Sequence, residues 1–195
     1  MRTDAQAEGE KRMTDYRRAG IEGGCYFFTV VTYERRAFLT EPLARRCLRE
    51  AGKEARQRSP FEVVAVCLLP DHLHCVWKLP ADDCDFSRRW ARIKTGFTGR
   101  YLAAGGVECE QSLSRKGKRE RGIWQRRFWE HQIRNATDLR RHIDYIHYNP
   151  VKHGLVERVE DWPWSSYHRF ARTGTYPDQY WQTVQDGFTD MGECE

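Results

Sequence analysis

The chain has 195 residues, enough for one ordinary domain with a real core, and its 31% charged and 13% aromatic content excludes a disordered chain. A net charge of +5 and a pI near 8.9 are basic, but bulk charge alone is weak evidence for a nucleic-acid partner. Seven cysteines with no Cys-x-x-Cys pair suggest neither a zinc ribbon nor a disulfide framework, and no apolar run reaches the length that spans a membrane.

Residues 1–19 are charged and poor in core formers, which predicts a mobile tail, with Met13 an alternative start. The tail has no apolar h-region, so no signal peptide is expected, and free thiols point to a reducing, cytoplasmic setting. Cys25 to Thr32 is rich in β-branched and aromatic residues and reads as a strand. Pro42 opens a helix to about Arg56, with Leu43, Cys47, Leu48 and Ala51 as its apolar stripe. Phe61 to Leu69 is the second strand and His74 to Leu79 the third, with a hairpin turn at Pro70-Asp71-His72-Leu73. Ser87 is the expected N-cap of a helix to about Leu102, and Ala103 to Gly122 reads as a long loop. The fourth strand is expected within Trp124 to Ile133. Asn135 caps a helix expected to end near Asn149, because Pro150 disfavours helical geometry at the residue before it. The Trp162-Pro163-Trp164 segment and Tyr167 pack back on the domain, and residues 181–195 form a C-terminal tail. The order β-α-β-β-α-β, then a helix, predicts an α+β fold: a ferredoxin-like split βαβ with an antiparallel sheet.

Two segments carry candidate chemistry. His72 and His74 are two apart, so on a strand they share a face and can grip one ion. Alone, the pair is equally a turn residue and a strand residue with ordinary hydrogen bonds. Tyr145 and Asn149 are four apart and share a helix face. An amide oxygen suits a hard divalent ion, so His72, His74 and Asn149 would hold Mg²⁺ or Mn²⁺. A phenol leaves more readily than an alcohol, so a tyrosyl phosphodiester can hold a nucleic-acid end reversibly without ATP.

Three runs, Leu69 to Trp77, Trp124 to His131 and Asp144 to Val156, resemble the REP-associated tyrosine transposases of the HUH single-tyrosine group. The resemblance extends from about Gly20 to Tyr180, and Tyr145-Ile146-His147-Tyr148-Asn149-Pro150-Val151-Lys152-His153-Gly154 is its most specific part. It implies a ferredoxin-like domain over residues 20–180 that nicks and rejoins single-stranded DNA beside hairpin-forming palindromes. His72 and His74 would then be metal ligands, Asn149 the third, and Tyr145 the nucleophile that forms a 5′-phosphotyrosine and releases a 3′-OH. Tyr148 is a second tyrosine close by, but its spacing to Asn149 does not match. The resemblance leans to a monomer, and no protein partner is expected. A non-catalytic module that binds structured DNA or an RNA hairpin is the alternative, and a water-using metal phosphohydrolase a third reading.

The basic residues suggest where nucleic acid would lie. Arg115, Lys116, Lys118, Arg119, Arg121, Arg126 and Arg127 cluster beside Trp124, Phe128 and Trp129, and Arg88, Arg89, Arg92 and Lys94 form a basic helix. Cations position phosphates and aromatic faces stack unpaired bases. The expected DNA contacts are Arg88, Arg92, Lys94, Arg126, Arg127, Trp129, Arg134, Lys152 and His153.

Overall fold

The computed structural model describes residues 21–118, 120–177 and 180–181. The expected N-terminal tail, Met13 included, lies outside the described residues, as does the expected C-terminal tail beyond Trp181. Four strands, β1 (Cys25–Val31), β2 (Glu62–Leu68), β3 (His72–Lys78) and β4 (Trp129–Gln132), form one sheet in the order β2-β3-β1-β4. Every pairing is antiparallel. Helix α1 (Pro42–Arg58) links β1 to β2, and α2 (Phe86–Ala103) lies between β3 and β4. The short α3 (Leu113–Gly117) precedes β4, and α4 (Ala136–Lys152) and α5 (Tyr167–Arg172) follow it. The fold is the expected α+β, split-βαβ arrangement.

Strand alternation divides the core into two layers. Tyr26, Phe28 and Val30 of β1 join Leu73, Cys75 and Trp77 of β3 against α1 and α2. Phe27 and Val76 point the other way, onto Ile143, Tyr145 and Ile146 of α4. Side chains two apart share a face, so His72 and His74 lie on the Val76 side, toward α4. Strand β3 begins at His72 rather than His74, because the turn is tighter than expected: the Leu69 amide donates to the His72 carbonyl at 2.8 Å.

On the other layer, Ala44, Cys47, Ala51 and Ala55 form the buried stripe of α1. The N-cap of α2 is Asp85, not Ser87: its carboxylate accepts from the Arg88 amide at 2.9 Å. This earlier start turns Phe86 and Arg89 into the core. The Arg89 guanidinium is 1% exposed, pairs with Asp83 at 2.8 Å, and donates to the carbonyls of Ser59, Pro60 and Asp85. It is a structural cation, not part of a basic surface.

The segment expected to be a loop is partly built. Its start belongs to α2, and α3 forms around Arg115, which is 7% exposed. The Arg115 guanidinium lies 4.0 Å over the Tyr33 ring and donates to the carbonyls of Arg121 and Trp124. Glu108 ties the far end, accepting from Arg121 and from the Gly122 amide.

Helix α4 corrects another expectation. Asn135 caps it as expected, accepting from the Asp138 amide at 2.9 Å, but the helix passes through Pro150 to Lys152. Proline has no N–H and forfeits one helical bond, to the carbonyl of Ile146, yet its own fixed φ is helical. The loss falls in the last turn, which a Schellman closure secures: Gly154 N–H donates to Val151 O and Leu155 N–H to Pro150 O, both at 2.9 Å. Gly154 has φ +64°, the left-handed geometry this closure needs. The extra turn places Lys152 and His153 where a helix ending at Asn149 would not. Among the described residues no helix is long and apolar enough to cross a membrane.

Candidate active site

The site forms where β3 faces α4. The imidazoles of His72 and His74 present their Nε2 atoms to each other at 3.1 Å. Two ligands bonded at about 2.1 Å at right angles around one divalent ion would sit about 3 Å apart. Each ring is held by its other nitrogen. His72 Nδ1 meets Asp71 Oδ1 at 2.6 Å, and His74 Nδ1 meets Thr29 Oγ1 at 2.9 Å, across the β1–β3 pairing that sets Thr29 opposite His74. Such outer partners fix the tautomer and aim of metal-binding histidines.

Both rings are buried. Burial, then the neighbouring charges of His72 and His153, hold His74 well below the ordinary histidine value. It therefore stays neutral, the form that donates a lone pair to a metal. For Asp71, burial works to raise the carboxyl, but the hydrogen bond from His72 and the Arg35 guanidinium outweigh it and hold it low. An ionised Asp71 keeps the proton of His72 on Nδ1 and leaves Nε2 open.

Helix α4 supplies the facing side chains. The Tyr145 ring lies 5.3 Å from the His74 ring and 5.9 Å from Phe27. Asn149, one turn on, is fully buried, and neither its Oδ1 nor its Nδ2 has a hydrogen-bond partner. Its amide lies close enough to His74 to favour that ring's protonated form without completing a bond. A buried amide with both atoms unpaired is costly, and beside two converging imidazoles its oxygen fits the role of a third ligand. The donor set of two nitrogens and one amide oxygen therefore fits a divalent cation. The extended end of α4 adds charge. Lys152 Nζ stands 5.1 Å from the Tyr145 ring centroid, and the His153 ring lies 5.2 Å from that of His72.

Of the residues singled out from sequence, His72, His74, Tyr145, Asn149, Lys152 and His153 thus converge. Trp129 reaches the same face through Phe27, at 5.5 Å, and is half-buried. Arg134 is exposed just before α4. Arg88, Arg92 and Lys94 do not join them, because α2 packs on the other face of the sheet. There Arg92 bonds Ser59 Oγ, Lys94 donates to the Gln125 carbonyl at 2.8 Å, and Arg88 pairs with Asp85. Arg126 pairs with Glu120, Arg127 is exposed, and Arg119 lies outside the described residues. Tyr148 turns from the site and stacks on Trp181 at 6.1 Å.

Sequence reasoning missed Thr29, whose role depends on a strand register no local pattern reveals. It passed over Asp71, although an acid directly before a His-x-His pair is a readable signal. It also missed a second group, His131, Asp138 and His142, whose ligand-capable atoms lie within 4.8 Å of one another. His131 Nε2 meets Asp138 Oδ2 at 2.9 Å, and the His131 and His142 rings stack at 4.5 Å. His142 also bonds the Asp138 backbone carbonyl at 2.8 Å, so the group ties β4 to the first turns of α4.

A family model described as "Transposase IS200 like" matches residues 23–149. The chain is 44% identical over 174 residues to the REP-associated tyrosine transposase of Escherichia coli K12, covering 89% of this chain and 94% of that one. It is 48% identical over 170 residues to a Haemophilus influenzae relative, covering 86% and 93%. A solved REP-associated tyrosine transposase bound to a REP hairpin superposes with a TM-score of 0.70 at 45% identity, covering 85% of this chain and 89% of that one.

Proposed function

We propose, for a chain that belongs to the IS200-like transposases and within them to the REP-associated tyrosine transposases, that Tyr145 nicks and rejoins single-stranded DNA beside a hairpin. Transposases of this family are enzymes. The observation that carries the proposal is the meeting of Tyr145 with His72, His74 and an unpaired, buried Asn149 amide where β3 faces α4.

In this reading His72 Nε2, His74 Nε2 and Asn149 Oδ1 would hold Mg²⁺ or Mn²⁺. When bound, the ion polarises the scissile phosphodiester and orients it. The Tyr145 oxygen forms a bond to phosphorus as the bond from phosphorus to O3′ breaks. The phenol loses its proton and the departing O3′ gains one, leaving a 3′-OH and a 5′-phosphotyrosine. The reverse attack by a 3′-OH restores the tyrosine, and one phosphodiester is exchanged for another, so no ATP is needed. Lys152 Nζ beside the Tyr145 ring offers a positive charge where phenolate and phosphate charge develop. Asp71 and Thr29 keep the imidazoles aimed.

A hairpin substrate is supported by the 45% identical relative solved with a REP hairpin. Trp129, Lys152 and His153 would contact DNA on the site face, and Arg127 and Arg134 are exposed cations that could add phosphate contacts; Arg126 is tied to Glu120, and Arg88, Arg92 and Lys94 would serve only DNA that wraps to the far layer. Incubating wild type and Tyr145→Phe with a labelled hairpin oligonucleotide carrying a single-stranded flank, plus Mn²⁺, tests the reading. Wild type should give a denaturation-resistant protein–DNA adduct and the variant none. Turnover without any adduct would assign the chemistry to water, and tight binding without turnover would leave a binding module.

A further inference from the structure

The segment after β1 departs from ordinary backbone geometry at two adjacent positions. Glu34 and Arg35 are consecutive non-glycine residues with positive φ, +55° and +50°. L-residues rarely adopt this region, and such strain persists where surrounding structure holds it, often at functional sites. The surroundings here are well anchored. Thr32 N–H and Oγ1 both donate to the Asp71 carbonyl at 2.8 Å, and the amides of Phe38 and Leu39 both donate to the Pro70 carbonyl at 2.8 Å. The backbone of the Pro70–Asp71 turn is therefore fixed without Arg35. What the left-handed pair adds is the direction of one side chain: Arg35 Nη1 reaches Asp71 Oδ2 at 3.2 Å. The other oxygen of that carboxylate is the one bound to His72 Nδ1.

We infer that Arg35 is a positioning residue for the metal site, acting through Asp71 on His72. The strained turn swings the guanidinium onto Asp71. One carboxylate oxygen is thereby occupied, the carboxylate cannot rotate, and the other oxygen holds the His72 ring with Nε2 facing His74. The inference rests on the reading that His72 and His74 bind a divalent ion. Arg35 itself touches neither His72 nor Tyr145 in the hydrogen-bond pattern, so its effect is on the preorganisation of a ligand. A salt bridge of this exposure, with Arg35 44% accessible, adds little to stability, which separates its positioning role from a structural one.

Glycine substitutions read the two roles apart, because glycine relieves the strain at either position while only one substitution removes the guanidinium. The measurements are Mn²⁺ affinity, by electron paramagnetic resonance of free ion, and melting temperature without metal. Glu34→Gly should raise the melting temperature by about 2–4 °C and leave Mn²⁺ affinity unchanged. Arg35→Gly should also melt no lower than wild type, yet bind Mn²⁺ several-fold more weakly. Asp71→Asn, which removes the direct partner of His72, should weaken it by about tenfold or more. Wild-type Mn²⁺ affinity in Arg35→Gly would overturn the inference, as would a fall in affinity that only tracks a fall in melting temperature. If wild type and His72→Ala bind Mn²⁺ alike, the metal reading itself fails and takes the inference with it.

Discussion

Asn149 gives a prediction in which stability and metal binding move in opposite directions. Its carboxamide is fully buried with both polar atoms unpaired. Leaving a buried polar group unsatisfied costs about 1–3 kcal/mol, and replacing it by an apolar group of similar shape removes that cost. Leucine has nearly the same outline, so Asn149→Leu opens no cavity. The metal-free variant should gain about 1–3 kcal/mol, which at about 2–4 °C per kcal/mol raises its melting temperature by about 2–12 °C. Metal should then narrow or reverse that gap. At a free Mn²⁺ concentration a hundredfold above its dissociation constant, binding adds about 2.7 kcal/mol to wild type, or about 5–10 °C. The leucine variant lacks the third ligand and should show a much smaller shift at the same concentration. Melting curves of both proteins with EDTA and with a Mn²⁺ series supply the comparison. A leucine variant that melts below wild type in EDTA would show that the amide is satisfied in the free protein. An undiminished Mn²⁺ shift would remove Asn149 from the ligand set.

Three other outcomes follow from the same geometry. The hydrogen bond from Arg89, first, holds the Asp83 carboxyl below its ordinary value, so its contribution is complete above about pH 4 and is lost as pH falls through the folded-state value. Asp83→Asn should therefore cost about 2 kcal/mol at pH 7, less than a fully buried pair because Asp83 is partly exposed, and its urea-unfolding curves should converge with wild type in acid. Lys152→Met should weaken binding of a hairpin oligonucleotide and lower the slope of log affinity against log salt by about 1, read by fluorescence anisotropy; an unchanged slope would place Lys152 off the phosphate path. Phe27→Ala should cost about 3–5 kcal/mol, because that ring is 2% exposed and supports His74, His142, Trp129 and Tyr145 together; urea unfolding measures it.

Much of the fold is legible because its strands are short and rich in β-branched and aromatic residues and its helices carry regular apolar stripes. The element order predicted from those patterns leads directly to the observed sheet order. Boundaries were less legible where a competing local rule applied. Pro150 argues for a stop at Asn149, but the Schellman closure at Gly154 makes one more turn stable. Ser87 is a good cap by type, yet Asp85 caps two residues earlier because Phe86 and Arg89 then enter the core. Two spacings, i to i+2 on a strand and i to i+4 on a helix, make each pair legible on its own face, and the family resemblance, not a local pattern, joins His72 and His74 to Tyr145 and Asn149. The sorting of arginines was not legible. Arg89 and Arg115 read as surface charges in a list of cations, whereas tertiary packing buries both against carbonyls and rings. Thr29 and Arg35 were invisible for a different reason. One depends on strand register, the other on a left-handed turn without the glycine that would announce it.

The covalent bond proposed between Tyr145 and DNA leaves a mark that can be mapped to a single residue. Mass spectrometry of the adduct tests it most directly: trap the protein on a hairpin oligonucleotide with Mn²⁺, digest with nuclease and protease, and map the nucleotide remnant. The expected remnant is a 5′-linked nucleotide on Tyr145 and none on Tyr148, which faces away to stack on Trp181. A remnant on Tyr148 or any other residue, with Tyr145 unmodified, would contradict it.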